Sequence, residues 1–187
     1  MRLVVDLDRQ MLEELERRLG TFSKKAPNAL SNAINRAVTN VNSNVKKEVR
    51  KEYNIKASDI QPTLKITKAT KASLRGEVKS SGSPIGLDKF RVSPKTVNPR
   101  RKTPIKAGVK KGNIKKVLGA FIADIHGNKV FEREGRARLP IKRLFGPSVP
   151  QMLDNDEVRT TIEQQGHQTF ETRLDHEINR ILGSGNR

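Results

Sequence analysis

From Asn28 to Tyr53 the chain runs 26 residues without a glycine or a proline. Along it Leu30, Ile34, Ala37, Val38, Val41, Val45, Val49 and Tyr53 recur at spacings of three and four, which is the period of one helical face. This predicts a single helix of roughly 40 Å at 1.5 Å per residue. A rod of that length with a seam of small and β-branched residues restricts what can cover it. Alanine and valine let another backbone come close, so the seam suits a sheet or a second helix rather than a cofactor. The polar face is asparagine-rich at first and turns basic at Lys46, Lys47, Arg50 and Lys51, where cations suit the negative end of the helix dipole.

The remaining segments sort around this rod. "MRLVVDL" is β-rich, and "DRQMLEELERRLG" places Met11, Leu12, Leu15 and Leu19 at helical spacing with Gly20 as a stop. After Tyr53, "ASDIQ" reads as one turn with Ser58 as N-cap. "TLKIT", "SLRGEVKSS" and "LDKFRVSP" then alternate as strands with one wet face, and "GAFIADIHGNKVFERE" is a hairpin turning at "HGN". "SPKTVNPRRKTPIKAGVKKGNIKKV" carries no acid and little apolar bulk, and reads as an exposed, mobile basic loop flanking a short strand near Val109. The last segment has Val158, Ile162, Phe170, Leu174, Ile178 and Ile181 at helical spacing, with Gly166 as a soft point and Gly183 beyond its end. The predicted class is α+β: an antiparallel sheet of about four strands covered by two long helices, with a basic loop and a proline-rich loop. A single domain over 1–187 is expected, with an N-terminal strand and helix arm at 1–24, an α+β core at 25–155 and a C-terminal helix at 156–187.

Charge is the strongest functional signal. The net charge is +18, and residues 46–116 hold 21 Lys+Arg against 5 Asp+Glu while residues 147–187 are mildly acidic. Such asymmetry fits one polyanion-facing surface, with nucleic acid as the leading partner and an acidic protein neighbour or a merely solvated face as alternatives. The expected contacts are Arg91, Lys95, Arg100, Arg101, Lys102, Lys106, Lys110, Lys111, Lys115 and Lys116. Only Phe90 stands among these cations as an aromatic, so backbone contact without base reading is expected.

Other chemistry finds little footing. There is no cysteine, and His126, His167 and His176 lie far apart, so neither a disulfide nor a zinc site is expected and no cofactor is implied. No apolar run approaches the roughly 20 residues that span a bilayer, and the amino terminus has acids where a signal peptide would stay apolar. A soluble protein made in a cytoplasm is expected. Asp154, Asp156 and Glu157 form the densest acid group, which capping and the helix dipole explain, and Glu132 and Glu134 share a strand face beside arginines. "GVKKGNIKK" lacks the lysine-serine or lysine-threonine of a phosphate loop, and no nucleophile has a visible base. The chain is expected not to be an enzyme.

"RLPIKRLFGPSVPQML", Arg138 to Leu153, threads three prolines and a glycine through apolar residues and suits neither a helix interior nor a central strand. Apolar side chains at this density in a loop need something to cover them. They can tuck under their own domain, or they can meet a neighbouring subunit. For the second role the residues are Leu139, Pro140, Leu144, Phe145, Pro147, Val149, Pro150 and Met152, with Arg138, Lys142 and Arg143 as polar rim.

Together, "LSNAINRAVTNVNSNVKKEVRKEYNIKASDIQPTLKI", "GAFIADI" and "RLPIKRLFGPSVPQML" resemble the minor tail protein Z family of tailed bacteriophages. The resemblance spans roughly residues 28–155. It implies a non-enzymatic virion protein of the neck and tail-completion region, assembled in the host cytoplasm as a ring or ring-associated subunit around the DNA channel at the head–tail junction. The implied partners are other copies of the chain, with a hexameric ring expected, neighbouring neck, connector and tail-terminator proteins, and packaged DNA; no membrane is involved. The alternative is a stand-alone nucleic-acid-binding protein without sequence preference, which the basic middle segment would fit by itself.

Overall fold

The computed structural model describes residues 1–6, 13, 17 and 19–183. In chain order it contains β1 (Arg2–Asp6), α1 (Ala26–Glu52), α2 (Ala57–Ile60), β2 (Leu64–Thr67), β3 (Arg75–Ser80), β4 (Arg91–Ser93), β5 (Ile105–Gly108), β6 (Lys115–Val117), β7 (Ala120–Asp124), β8 (Asn128–Arg133), β9 (Ile141–Arg143), α3 (Val149–Leu153) and α4 (Asp156–Gly183). Most of the helix expected before Gly20 lies outside the described residues. Of it, Leu19 is helical and buried, and Gly20 follows with φ +51, the left-handed conformation that ends a helix.

The chain divides into two compact units: Met1–Val45, Leu64–Ser80 and Asp156–Arg187 form the first, Lys46–Thr63 and Ser81–Asn155 the second. The long helix α1 is continuous, as its freedom from breakers dictates, and gives its residues up to Val45 to the first unit and its last turns to the second.

In the first unit a three-stranded antiparallel sheet in the order β1-β3-β2 packs on α1. The approach is close because β3 offers Gly76 there: a Cβ at that position would collide with the side chains of Ile34 and Val38. Leu3 and Val78, paired across β1 and β3, are buried on this face, while Lys79, Lys65 and Arg75 stay exposed on the strands. Helix α4 runs antiparallel to α1, since Asn32 Nδ2 donates to Glu177 at 3.4 Å while Val41, further along α1, lies against Gly166, further back on α4. Gly166 is therefore a close-approach residue and not the soft point the sequence suggests. A Cβ there would come within 2.7 Å of Val41 Cγ2, and the helix passes through it unbroken. Asn35 on α1 pins the connection after β2 with two bonds: its Nδ2 donates to Ala69 O at 3.0 Å and its Oδ1 accepts from Ala69 N at 2.8 Å.

The second unit holds two more three-stranded antiparallel sheets, β4-β5-β6 and β7-β8-β9, over a core that includes Ile60, Phe90, Ile105, Val130, Val149 and Met152. The β7-β8 hairpin turns at His126 (φ 52) and Gly127 (φ 94), as "HGN" predicts. The α+β class, the antiparallel pairing and the two long helices thus match the sequence, but nine described strands divide into three sheets instead of gathering into one. Strands of three to six residues separated by prolines and turn glycines cannot extend a common ladder. The short strand expected near Val109 is Ile105–Gly108. One local expectation needs correction: Ser58 lies inside α2, whose N-cap is Lys56 with no side-chain bond.

Candidate functional site

The second unit contains a cleft of about 690 Å³, built where the end of α1 meets the basic strands. As α1 ends, Tyr53 bridges to Lys110, and Asn54 clamps the β5–β6 connection: its N donates to Val109 O at 2.9 Å, and its Nδ2 to Gly108 O at 3.0 Å and Lys110 O at 3.2 Å. Lys111 N adds a bond to Glu52 O at 2.7 Å. These bonds fix the backbone that carries Lys110 and Lys111, and the Lys110 ammonium sits 5.8 Å over the Tyr53 ring. On the other side, Asn128 Nδ2 donates to Lys95 O at 3.2 Å, tying the loop after β4 to the hairpin.

Seven cations line the cleft: Arg50, Lys56, Lys89, Arg91, Lys95, Lys111 and Lys129. Its two carboxylates are already engaged, Asp59 with Lys89 at 3.4 Å and Asp88 with Arg143 at 2.9 Å. The other six cations form no ion pair among the described residues. The apolar residues of the lining, Tyr53, Ile55, Phe90, Val92, Ile122 and Val130, are all buried, and the accessible wall is more polar than apolar. Burial, reinforced by the nearby Glu52 charge, pushes the Tyr53 hydroxyl above its usual range, and it stays neutral well past neutrality.

The cations expected from sequence fall into four places. Arg91, Lys95 and Lys111 line the cleft. Lys106, Lys115 and Lys116 stand exposed on the β5-β6 ladder, with Lys106 directly opposite Lys116, a like-charge pairing that weakens a sheet. Lys110 is held at Tyr53, and Arg100, Arg101 and Lys102 lie on the connection before β5. Arg101 spends its guanidinium on its own loop, Nε donating to Thr103 O at 2.6 Å and Nη2 to Pro104 O at 2.8 Å, while Arg100 and Lys102 are exposed. The stretch is not one loop, since β5 and β6 fold it back and bury Ile105 and Ala107.

Sequence reasoning missed Arg50, Lys56, Lys89 and Lys129. The Arg50 signal was there, in the basic last turns of α1, but the helix dipole accounts for it equally well. Lys56 and Lys129 are isolated in sequence, and only the tertiary fold brings them to the cleft.

The proline-rich segment is also more ordered than a loop. Ile141–Arg143 is β9, and α3 begins at Val149 behind a capping box in which Ser148 Oγ accepts from Gln151 N while Gln151 Oε1 accepts from Ser148 N. Pro150 sits in the first turn, where a missing N–H costs nothing. Val149 and Met152 are fully buried in the protein's own core, which removes them from the expected interface set. Leu144, Pro147 and Pro150 are partly covered, Arg138 and Pro140 are exposed, and Leu139 (66%) and Phe145 (53%) are the large apolar residues left outside. The Arg143 guanidinium lies 5.2 Å over the Phe145 ring. Glu132 pairs with Lys142 at 2.8 Å and not with an arginine; this hydrogen bond and the Glu132 charge raise the Lys142 ammonium above the usual lysine range.

Among the described residues, no helix is long and apolar enough to cross a membrane, and no group of three or more His, Asp or Glu could hold a metal ion. Comparison with known families gives a match to prophage minor tail protein Z (GPZ) across residues 11–184. The chain belongs to that family, and so to the minor tail proteins of bacteriophages. Neither a curated protein nor a solved structure gives a significant match to it.

Proposed function

We propose that this protein is a structural, non-catalytic subunit of the neck and tail-completion region, forming a closed ring around the DNA channel at the head–tail junction. The family match over residues 11–184 carries the reading as far as the phage tail. The concentration of charge supports a position beside DNA. The second unit holds 22 Lys+Arg against 8 Asp+Glu, a net +14, while the first holds 16 against 12, a net +4. Exposed Leu139 and Phe145, rimmed by Arg138 and Lys142, suit contact with another copy or with a connector or tail-terminator neighbour, and a closed ring uses one such heterologous contact per subunit.

Two measurements test this. Antibody labelling of isolated tails in the electron microscope should mark the head-proximal end, and native mass spectrometry of the protein mixed with its virion neighbours should give a fixed multiple, with six copies the number to test. Label at the distal tip, or a protein that stays monomeric in every mixture, would remove the neck ring.

A further inference from the structure

We infer that the cleft of the second unit is a seat for the phosphodiester backbone of duplex DNA, gripped without base reading. The inference deepens the proposed position beside the DNA channel, and rests on that reading for its biological setting but on the cleft itself for its chemistry.

Three observations carry it. First, Arg50, Lys56, Arg91, Lys95, Lys111 and Lys129 converge on one cleft from four separate stretches of chain, and none has a carboxylate partner among the described residues. Six unneutralised cations around about 690 Å³ repel one another, so the folded protein gains by taking up a polyanion. Second, the wall has no largely exposed apolar side chain to serve as an anchor, and its accessible surface is more polar than apolar. A protein partner of ordinary interface chemistry presses apolar or aromatic side chains into a dry centre, whereas phosphate binding needs only cations and polar groups. Here every apolar lining residue is buried. Third, no aromatic platform is available. Tyr53 and Phe90 are 6% and 3% exposed, so unpaired bases have no ring to stack on, and a duplex, whose phosphates face outward, is the better fit.

The test uses the purified full-length protein and a fluorescently labelled random-sequence duplex of about 20 base pairs, with anisotropy read across a series of salt concentrations. Binding should ignore sequence and weaken steeply with salt. The triple variant Lys95→Gln, Lys111→Gln, Lys129→Gln should reduce the slope of log affinity against log salt by about 2.7, near 0.9 for each phosphate that is no longer neutralised. Lys65→Gln, Lys68→Gln, Lys71→Gln, which removes the same charge from the first unit, should change the slope by less than about 0.9. Replacing the three cleft lysines by arginine should keep the wild-type slope, and thermal melting checks that each variant is folded. Equal slope reductions in the two glutamine triples would overturn the cleft as the site. Tighter binding of single strands of the same length would overturn the duplex. Failure to bind duplex at low salt together with tight binding of a polyglutamate peptide would reassign the cleft to an acidic protein. None of these outcomes depends on where the protein sits in the particle, so a misplaced neck ring and a failed cleft are told apart.

Discussion

Close packing through small residues distinguishes the first unit, and surplus charge the second. In the first, a glycine on β3 and a glycine on α4 let a sheet and a second long helix close on α1, and the charges nearly balance at +4. In the second, short strands hold a smaller apolar core beneath a cationic surface of net +14. Cross-strand cations occur in both. In the first unit, Arg2, Lys79 and Lys65 share one row, and Arg2 is also paired with Glu77 at 3.4 Å. In the second, Lys106 faces Lys116 and neither is matched by a described carboxylate. Like charges facing across a ladder reduce stability, so these rows weaken the sheets of both units.

The largest expected effect asks whether the second unit has a core of its own. Met152→Asp places a carboxylate at a position with no exposure and should cost more than about 4 kcal/mol, while Phe145→Asp, seven residues earlier and exposed, should stay within about 0.5 kcal/mol. Urea titration measures both. Nearly equal midpoints would mean that the proline-rich segment is not built into the unit.

Next comes a test of sign in the first unit. If Gly166 were only a weak point of α4, Gly166→Ala would stabilise by up to about 1 kcal/mol through helix propensity. Because the added Cβ would press on Val41, the substitution should instead destabilise by about 1–3 kcal/mol, read as a lower melting temperature.

A smaller effect sharpens the contrast in charge. Lys116→Glu turns the facing pair with Lys106 into an attractive one, and should stabilise the isolated protein by about 0.2–1 kcal/mol at low salt, with the gain fading as salt is added. No gain at low salt would mean that the pair is already relaxed.

The smallest effect is on the alkaline side. The folded state raises the Tyr53 hydroxyl above its ordinary value of 10.0, first by burial and then by Glu52. The folded protein therefore holds that proton more tightly than the unfolded chain. The contribution is fully present below pH 10 and is lost as pH rises through the folded value. Tyr53→Phe should flatten the decline in stability above pH 10 relative to wild type, as followed by melts at successive pH values.

What could be read from sequence follows the range of the forces involved. The long helices were legible because periodicity and the absence of breakers act within a few turns, and the "HGN" hairpin was legible because its turn is local. The division into three sheets was not, since which strands pair is settled by residues distant in sequence. Gly166 looked like a weakness because the residue that approaches it, Val41, lies on another helix. The basic middle was visible as composition, but the cleft draws Arg50, Lys56, Lys89 and Lys129 from outside the expected stretch, and Arg101 is taken up by its own loop carbonyls. Val149 and Met152 were legible as apolar but not as buried, because the capping box that starts α3 was hidden among prolines.

The central claim is that the second unit faces a polyanion while the first serves as scaffold, and lysine footprinting in assembled particles tests it most directly. Intact virions and the free protein would be acetylated briefly, and the modified lysines counted by mass spectrometry. Lys56, Lys95, Lys111 and Lys129 should be strongly protected in the virion relative to the free protein, while Lys65, Lys68 and Lys71 of the first unit react alike in both. Equal reactivity of the cleft lysines in the two states, or protection confined to the first unit, would contradict the account.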